Sequence, residues 1–155
     1  VSAADAPRSP AFVFERQVRF EEVDAARIVF FARFLGYAHD AMVEFFGQLP
    51  GGYVGLINDR AIGLPAVHVE CDFVAPLRFG DVARIHVTAA RIGRSSCTFR
   101  YAMSRKRDGA RVAEISHVCV TSDLTTMTSV PIPPDIRTLL ERHLVPDAPS
   151  AQPHP

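Results

Sequence analysis

The chain has no tryptophan and only three cysteines, Cys71, Cys97 and Cys119, with no CxxC pair among them. An odd, scattered count excludes a disulfide framework and a zinc knuckle. It predicts small buried thiols kept reduced, as in a cytoplasm. No apolar run approaches the ~20 residues needed to span a bilayer. The opening "VSAADAPRSP" has neither the basic nor the apolar region of a secretory signal. An excess of either charge is missing too, since 17 Lys and Arg balance 17 Asp and Glu. No net field therefore draws the chain to nucleic acid or to a membrane surface. Glycine-rich phosphate loops of the dinucleotide or P-loop kind are absent, and Ser95-Ser96 lack the Gly-x-Ser-x-Gly elbow of serine hydrolases.

What is present is enough chain, 155 residues, for one domain with a real core. Residues 1–11 and the tail 145–155 are rich in Pro, Ala and Ser without periodicity, and are expected to be disordered. Between them, residues 12–144 read as a single unit. "FVFERQVRF" (12–20) alternates as a strand does. Phe31, Phe34, Leu35, Ala38, Met42 and Phe45 then recur at helical spacing, with Arg33, Tyr37, Asp40 and Glu44 on the opposite face. That predicts about four turns of helix ended by "GQLPGG". Four strand-like runs follow, at 64–74, 82–92, 95–105 and 111–124. Tight turns are expected at Gly93-Arg94 and Asp108-Gly109, and "PPDIRTLLERHL" reads as a final helix. Successive hairpins make an antiparallel sheet, and one greasy helix must bury itself against a face of it. The fold class is α+β. Open sheet edges predict a homo-oligomer.

Few residues suggest chemistry. His68, Glu70 and Asp72 share one face of a strand, opposite Val67, Val69, Cys71 and Phe73. Without another histidine to complete a metal set, the plainer reading is a polar face meeting solvent or a subunit interface. "SRKRDGAR" is a basic cluster at a hairpin turn, solvated or in contact with an anionic ligand tail. The stretch "EEVDAARIVFF" is more informative. Asp24 lies too far from the helical pattern to cap it, and the connection after it is unusually apolar. Such a loop is expected to pack down and bring Asp24 near the first free N–H groups of the helix. A helix N-terminus stabilises developing negative charge. A carboxylate beside it in a partly apolar cleft is the minimum equipment for opening an activated acyl group.

These residues also carry a resemblance. "VRFEEVDAARIVFFARFLGYAHDAMVEFF", continued by "LPAVHVECDFVAPLRFGD", "ARIGRSSCTFRYAM" and "PIPPDIRTLLE", resembles the 4-hydroxybenzoyl-CoA thioesterase family of hotdog-fold proteins over roughly residues 12–142. Several stretches look most like the branch that includes 1,4-dihydroxy-2-naphthoyl-CoA hydrolases. The resemblance implies a five-stranded antiparallel sheet wrapped around one long helix, in dimers or tetramers with active sites at the subunit interface. It implies hydrolysis of an acyl-CoA thioester without metal or prosthetic group. Asp24 would be nucleophile or base, the Phe31 backbone N–H would polarise the thioester carbonyl, and Arg94 with Ser95 and Ser96 would meet CoA. Phe30 and Phe34 are expected at the acyl pocket with strand residues from across the subunit interface, His68 among them, and its aromatic walls suit an aryl acyl group. Two other readings use the same residues: a thioesterase acting on acyl carrier protein, and a non-catalytic protein that binds acyl-CoA or a partner. The chain departs from the family at one point, where Arg27 stands in place of a glycine in the Asp24 loop. A glycine with positive φ replaced by arginine would leave a strained backbone.

Overall fold

The computed structural model describes residues 10–147, so the ends expected to be disordered fall mostly outside the described residues. The elements in order are β1 (Phe12–Gln17), a one-turn 3-10 helix (Phe20–Glu22), α1 (Arg33–Phe46), α2 (Gly52–Asn58), β2 (Ile62–Gly63), β3 (Ala66–Phe73), β4 (Val82–Ile92), β5 (Ser96–Arg105), β6 (Arg111–Val120), β7 (Ser122–Asp123), β8 (Thr128–Ser129) and α3 (Pro134–Arg142). Five strands form one antiparallel sheet in the order β1-β4-β5-β6-β3. The short β2, β7 and β8 form a second ribbon. This is the α+β hotdog arrangement.

Alternation along β4 and β5 explains the inner face of the sheet. In β4, Ala83, Ile85, Val87 and Ala89 are fully buried while the residues between them are half exposed. Helix α1 covers this inner face with Phe34, Tyr37, Ala38, Ala41, Met42, Phe45 and Phe46, and Phe45 and Phe46 meet Phe99 edge-on. The buried stripe is rotated from the one expected. Tyr37 is buried, not on the polar face, while Phe31 and Leu35 are 63% and 46% exposed. The physical reason is that the Tyr37 hydroxyl finds a buried acceptor, described below. Leu35 instead faces a small cleft beside β3, with Ala66, Val69 and His117.

The turns follow the expected chemistry. Gly109 takes φ +70° after Asp108, and the Gly93 N–H donates to the Ser96 carbonyl at 2.7 Å to close the β4–β5 turn. Helix α2 lies outside the elements read from the sequence. The 111–124 run breaks into β6 and β7. Two of the three scattered cysteines become neighbours: Cys97 and Cys119 sit opposite each other on β5 and β6, sulfurs 3.5 Å apart and unoxidised. The basic turn is largely neutralised within the chain, since Arg105 pairs with Asp108, Lys106 with Glu15 and Arg107 with Asp81. Among the described residues no helix is long and apolar enough to cross a membrane.

Two outer strands differ sharply. β1 is tied to the core by Phe12 and Phe14. β3, the opposite edge, is exposed along most of its length, with Val67, Val69 and Phe73 at 61%, 41% and 52%.

Candidate active site

Asp24 stands at the head of a tight hairpin. Val23 and Val29 form an isolated antiparallel bridge, and the Asp24 N–H donates to the Ile28 carbonyl at 3.0 Å. The Arg27 N–H donates back to the Asp24 carbonyl at 2.9 Å, and the Asp24 Oδ1 accepts the Ala26 N–H at 2.8 Å. A three-residue hairpin loop of this kind ends on a left-handed residue, the position that favours glycine. Arg27 occupies it with φ +63°. Left-handed backbone costs a non-glycine residue about 1–2 kcal/mol. The strain foreseen from the sequence is therefore present.

The strand leaving this hairpin is pinned from both sides. The Val29 N–H donates to the Leu77 carbonyl and the Phe30 N–H to the Glu22 carbonyl, at 2.8 and 3.0 Å. The next bonds, Arg33 N–H to Phe30 and Phe34 N–H to Phe31, already belong to the first turn of α1. Among the described residues, the N–H groups of Phe31 and Ala32 donate to no protein acceptor. Phe31 and Asp24 open on one cleft of about 400 Å³, walled by Ile28, Val29, Phe34, Phe73, Val74, Ala75 and Pro76. Phe73 meets Phe31 and Phe34 edge-on, with ring centroids 6.3 and 5.4 Å apart. The loop packs down only in part, since Asp24 and the three residues after it are exposed.

Beneath the hairpin lies a group that the sequence reading missed. Glu22 is only 5% exposed. Its carboxylate accepts the Tyr37 hydroxyl at 2.7 Å and the Arg19 N–H at 2.8 Å, and pairs with Arg16. Arg16 also bonds Asp40 at 2.9 Å, and its guanidinium lies 4.7 Å from the centre of the Tyr37 ring. Burial alone would raise the Glu22 carboxyl pKa. The Arg19 N–H, the Tyr37 hydroxyl and the Arg16 guanidinium together hold it below the usual carboxylate range. Burial, reinforced by the Glu22 charge, pushes the Tyr37 phenol up. β1, the one-turn helix and α1 are locked together at the root of the Asp24 hairpin. The signal was available: Arg16 alternates inward with Phe12 and Phe14, and Tyr37 follows Phe34 by three.

The other expected site residues are distributed unevenly. The Phe30 ring lies tilted against Phe31, centroids 4.7 Å apart, next to the cleft. Within one chain His68 lies away from the cleft. It stands on the outer sheet face, opposite Val118, and pairs with Glu70 at 2.9 Å. The same alternation that puts His68 outside turns Phe73 inward, to the cleft. Among the described residues no cluster of three His, Cys, Asp or Glu is placed to hold a metal ion. Arg94, Ser95 and Ser96 are held together in the β4–β5 turn, where Arg94 and Ser95 carbonyls accept the Ile132 and Thr121 N–H groups at 2.8 and 2.7 Å. The Asp24 hairpin instead adjoins the start of β4, where the Val18 N–H reaches the Asp81 carbonyl. Ten residue steps along β4 separate the two ends, about 33 Å at 3.3 Å per residue. One chain does not bring its own Arg94 to its own Asp24.

A sheet wrapped on one helix, with a carboxylate hairpin at the helix start, defines the class of hotdog thioesterases. The comparison with known proteins agrees: the chain belongs to the thioesterase-like superfamily, whose profile matches residues 18–140. It is 30% identical over 121 residues to a 1,4-dihydroxy-2-naphthoyl-CoA hydrolase of Synechococcus elongatus, covering 77% of this chain and 89% of that one. Among solved structures it is similar to a thioesterase superfamily protein of Jannaschia sp. CCS1, with TM-score 0.81, 28% identity and coverage of 87% and 94%. A gentisyl-coenzyme A thioesterase matches with TM-score 0.73, 27% identity and coverage of 84% and 99%. The protein is an acyl-CoA thioesterase of the hotdog superfamily.

Proposed function

We propose that the protein hydrolyses the thioester of an aromatic acyl-CoA to the free acid and CoA, with Asp24 and the start of α1 as its catalytic parts. The observation that carries this reading is the single cleft shared by Asp24, Phe31 and the rings of Phe34 and Phe73. Flat aromatic walls suit an aryl acyl group, and two of the similar proteins are named for aromatic acyl-CoA substrates.

A thioester needs little from its catalyst. The leaving thiol has a pKa of about 8.5 if it resembles cysteine, so a strong general acid is unnecessary. Two requirements remain. The carbonyl oxygen must be stabilised as it becomes negative, and the free Phe31 N–H at the positive end of α1 does this; one such donor is worth about 10²–10³ in rate. A nucleophile must also be delivered. As base, Asp24 takes a proton from water while the water oxygen bonds to the carbonyl carbon. The C–S bond then breaks and the thiolate collects a proton. As nucleophile, Asp24 displaces the thiolate to form a mixed anhydride, which water opens.

The site is completed by a second copy of the chain. Exposed β3 supplies an unpaired edge with Val67, Val69 and Phe73, a surface that favours burial against another chain. Two β3 strands paired antiparallel place the Ala66 end of one beside the Phe73 end of the other. That reversal supports a CoA contact in which the turn at Arg94, Ser95 and Ser96 serves the Asp24 of another protomer. The direct test is thiol release from a panel of aryl-, short- and long-chain acyl-CoAs. Highest kcat/KM on aryl esters is expected; a preference for long fatty acyl chains would overturn the aryl assignment.

A further inference from the structure

Strand register lays out the outer face of the sheet, the face turned away from α1. On β3, β6 and β5 the outward residues form rows across the strands: Asp72, Glu114 and Ala102 in one, Glu70, Ser116 and Arg100 in the next. The small side chains of Ser116 and Ala102 leave a pit of about 400 Å³ between the longer ones, and Asp147 borders it. Four carboxylates and one guanidinium line this pit. Arg100 is already taken, since it bonds the two Asp147 oxygens at 3.1 and 2.7 Å. Glu114 pairs with Arg111. Glu70 bonds only His68, which carries charge only when protonated, and the Asp72 carboxylate has no partner among the described residues. Asp72 and Glu114 nevertheless stand directly opposite each other across β3 and β6, where like charges destabilise a sheet.

A second observation points to a ligand. Ser116 is only 7% exposed, and its hydroxyl, turned into the pit by the alternation of β6, has no hydrogen-bond partner among the described residues. A buried hydroxyl left unpaired is destabilising, as is a pair of unanswered carboxylates, and one ligand rich in N–H donors relieves both. Among the described residues no three acidic, histidine or cysteine side chains converge to hold a metal ion. An alkylammonium suits the pit better, because its –NH₃⁺ offers three donors and no acceptor. Two residue steps separate the Glu70 row from the Asp72 row, about 6.6 Å at 3.3 Å per residue. Two amines joined by four methylenes lie about 6 Å apart when the chain is staggered. The two carboxylates without a permanent cation, Glu70 and Asp72, also match two positive charges. We propose that the pit binds a linear alkyl diammonium, as a free diamine or as one segment of a longer polyamine. One ammonium donates to Glu70 and the Ser116 Oγ, the other to Asp72 and Glu114. The site lies on the sheet face opposite α1 and does not depend on the chemistry assigned to Asp24.

The test is calorimetric titration of the full chain with 1,4-diaminobutane at fixed ionic strength and pH 8, above the ordinary titration range of histidine. Saturable binding of one diamine per chain is expected. 1-Aminobutane, which reaches only one row, should bind about tenfold more weakly or worse. Asp72→Asn and Glu70→Gln should each weaken the diamine about tenfold, and Ser116→Ala severalfold. Glu141→Gln removes an exposed acid on α3 and should leave the affinity unchanged. Melting gives a second readout. Without ligand, Asp72→Asn should melt no lower than the parent, because it relieves the repulsion with Glu114, whereas the rise in melting temperature that the diamine gives the parent should shrink in the variant. Spermidine binding more tightly than diaminobutane would identify a polyamine as the source of the ammonium groups, and equal affinity a diamine. Magnesium chloride competing as well as the diamine, or Glu141→Gln losing as much affinity as Asp72→Asn, would reduce the pit to a diffuse acidic surface and overturn the proposal. The absence of saturable binding would overturn it as well.

Discussion

Glu22 and Asp24 are two carboxylates one residue apart, and they occupy opposite environments. Glu22 is buried with every bond satisfied by Arg16, Arg19 and Tyr37. Asp24 is exposed, with one loop N–H on its carboxylate and an aromatic cleft in front of it. Glu22 closes the one-turn helix and is buried against Arg16 and Tyr37, whereas Asp24 already opens the exposed hairpin loop. One carboxylate holds the hairpin in place; under the proposed mechanism the other is the one that reacts.

The sharpest way to break this comparison is to exchange the charges one at a time. Asp24→Asn keeps the size and the loop hydrogen bond, because Asn and Asp serve such bonds about equally. Under the proposed mechanism kcat falls by about 10²–10⁴ while the melting temperature stays at the parental value. Parental turnover in that variant would return Asp24 to a purely structural role.

Glu22→Gln should do the reverse. Removing the charge leaves Arg16 with only Asp40 and costs about 2 kcal/mol of stability. For a chain this size that lowers the melting temperature by roughly 4–8 °C. Among molecules still folded at the assay temperature, kcat should change by no more than severalfold, since Glu22 touches no reacting atom. A loss of turnover as large as that of Asp24→Asn, at unchanged stability, would erase the distinction.

Acid titration sharpens the same contrast. Glu22 is held below its ordinary value of 4.5 in the folded chain. Its stabilisation is therefore fully present above about pH 4.5 and disappears as pH falls through the lower folded value. Asp81 contributes in the same direction, because the Arg107 side chain and the Arg78 N–H outweigh its burial. Glu22→Gln should flatten the acid limb of the stability curve without abolishing it. Identical slopes below pH 4.5 in parent and variant would remove Glu22 from the folded-state ion pair.

The smallest effect belongs to the far end of the sheet. Arg94→Ala should raise KM for CoA esters severalfold with little change in kcat, because a phosphate contact acts alike on ground and transition states. The parental KM in the variant would place the CoA contact elsewhere. The assembly that the Arg94 proposal requires is checked by light scattering at micromolar concentration, where a dimer or tetramer is expected and a monodisperse monomer would exclude it.

How much of this was legible depends on the range of the interactions. β4 was readable because Val82–Ala89 alternates, up to the irregularity at Ala89–Arg91, and the Asp108-Gly109 turn because Gly109 needs a positive φ. The helix was legible in place and length, but its buried face was misjudged at Tyr37. Ranking tyrosine with the polar residues ignores that a phenol can be buried once its hydroxyl has an acceptor, and Glu22 lies fifteen residues away. His68 illustrates the converse. Its strand face was readable from alternation, but which face of the sheet α1 would cover was not.

The sequence by itself therefore determined what is local and periodic: the order of the main helix, the five sheet strands and the final helix, the α+β class, the hairpins, and the strained arginine at a glycine position. Its motif also determined the family. Tertiary structure alone decided the Glu22 lock and the separation of Asp24 from Arg94 by the length of β4. Those arrangements depend on which faces meet when distant segments pack, and short-range patterns carry no information about their partners.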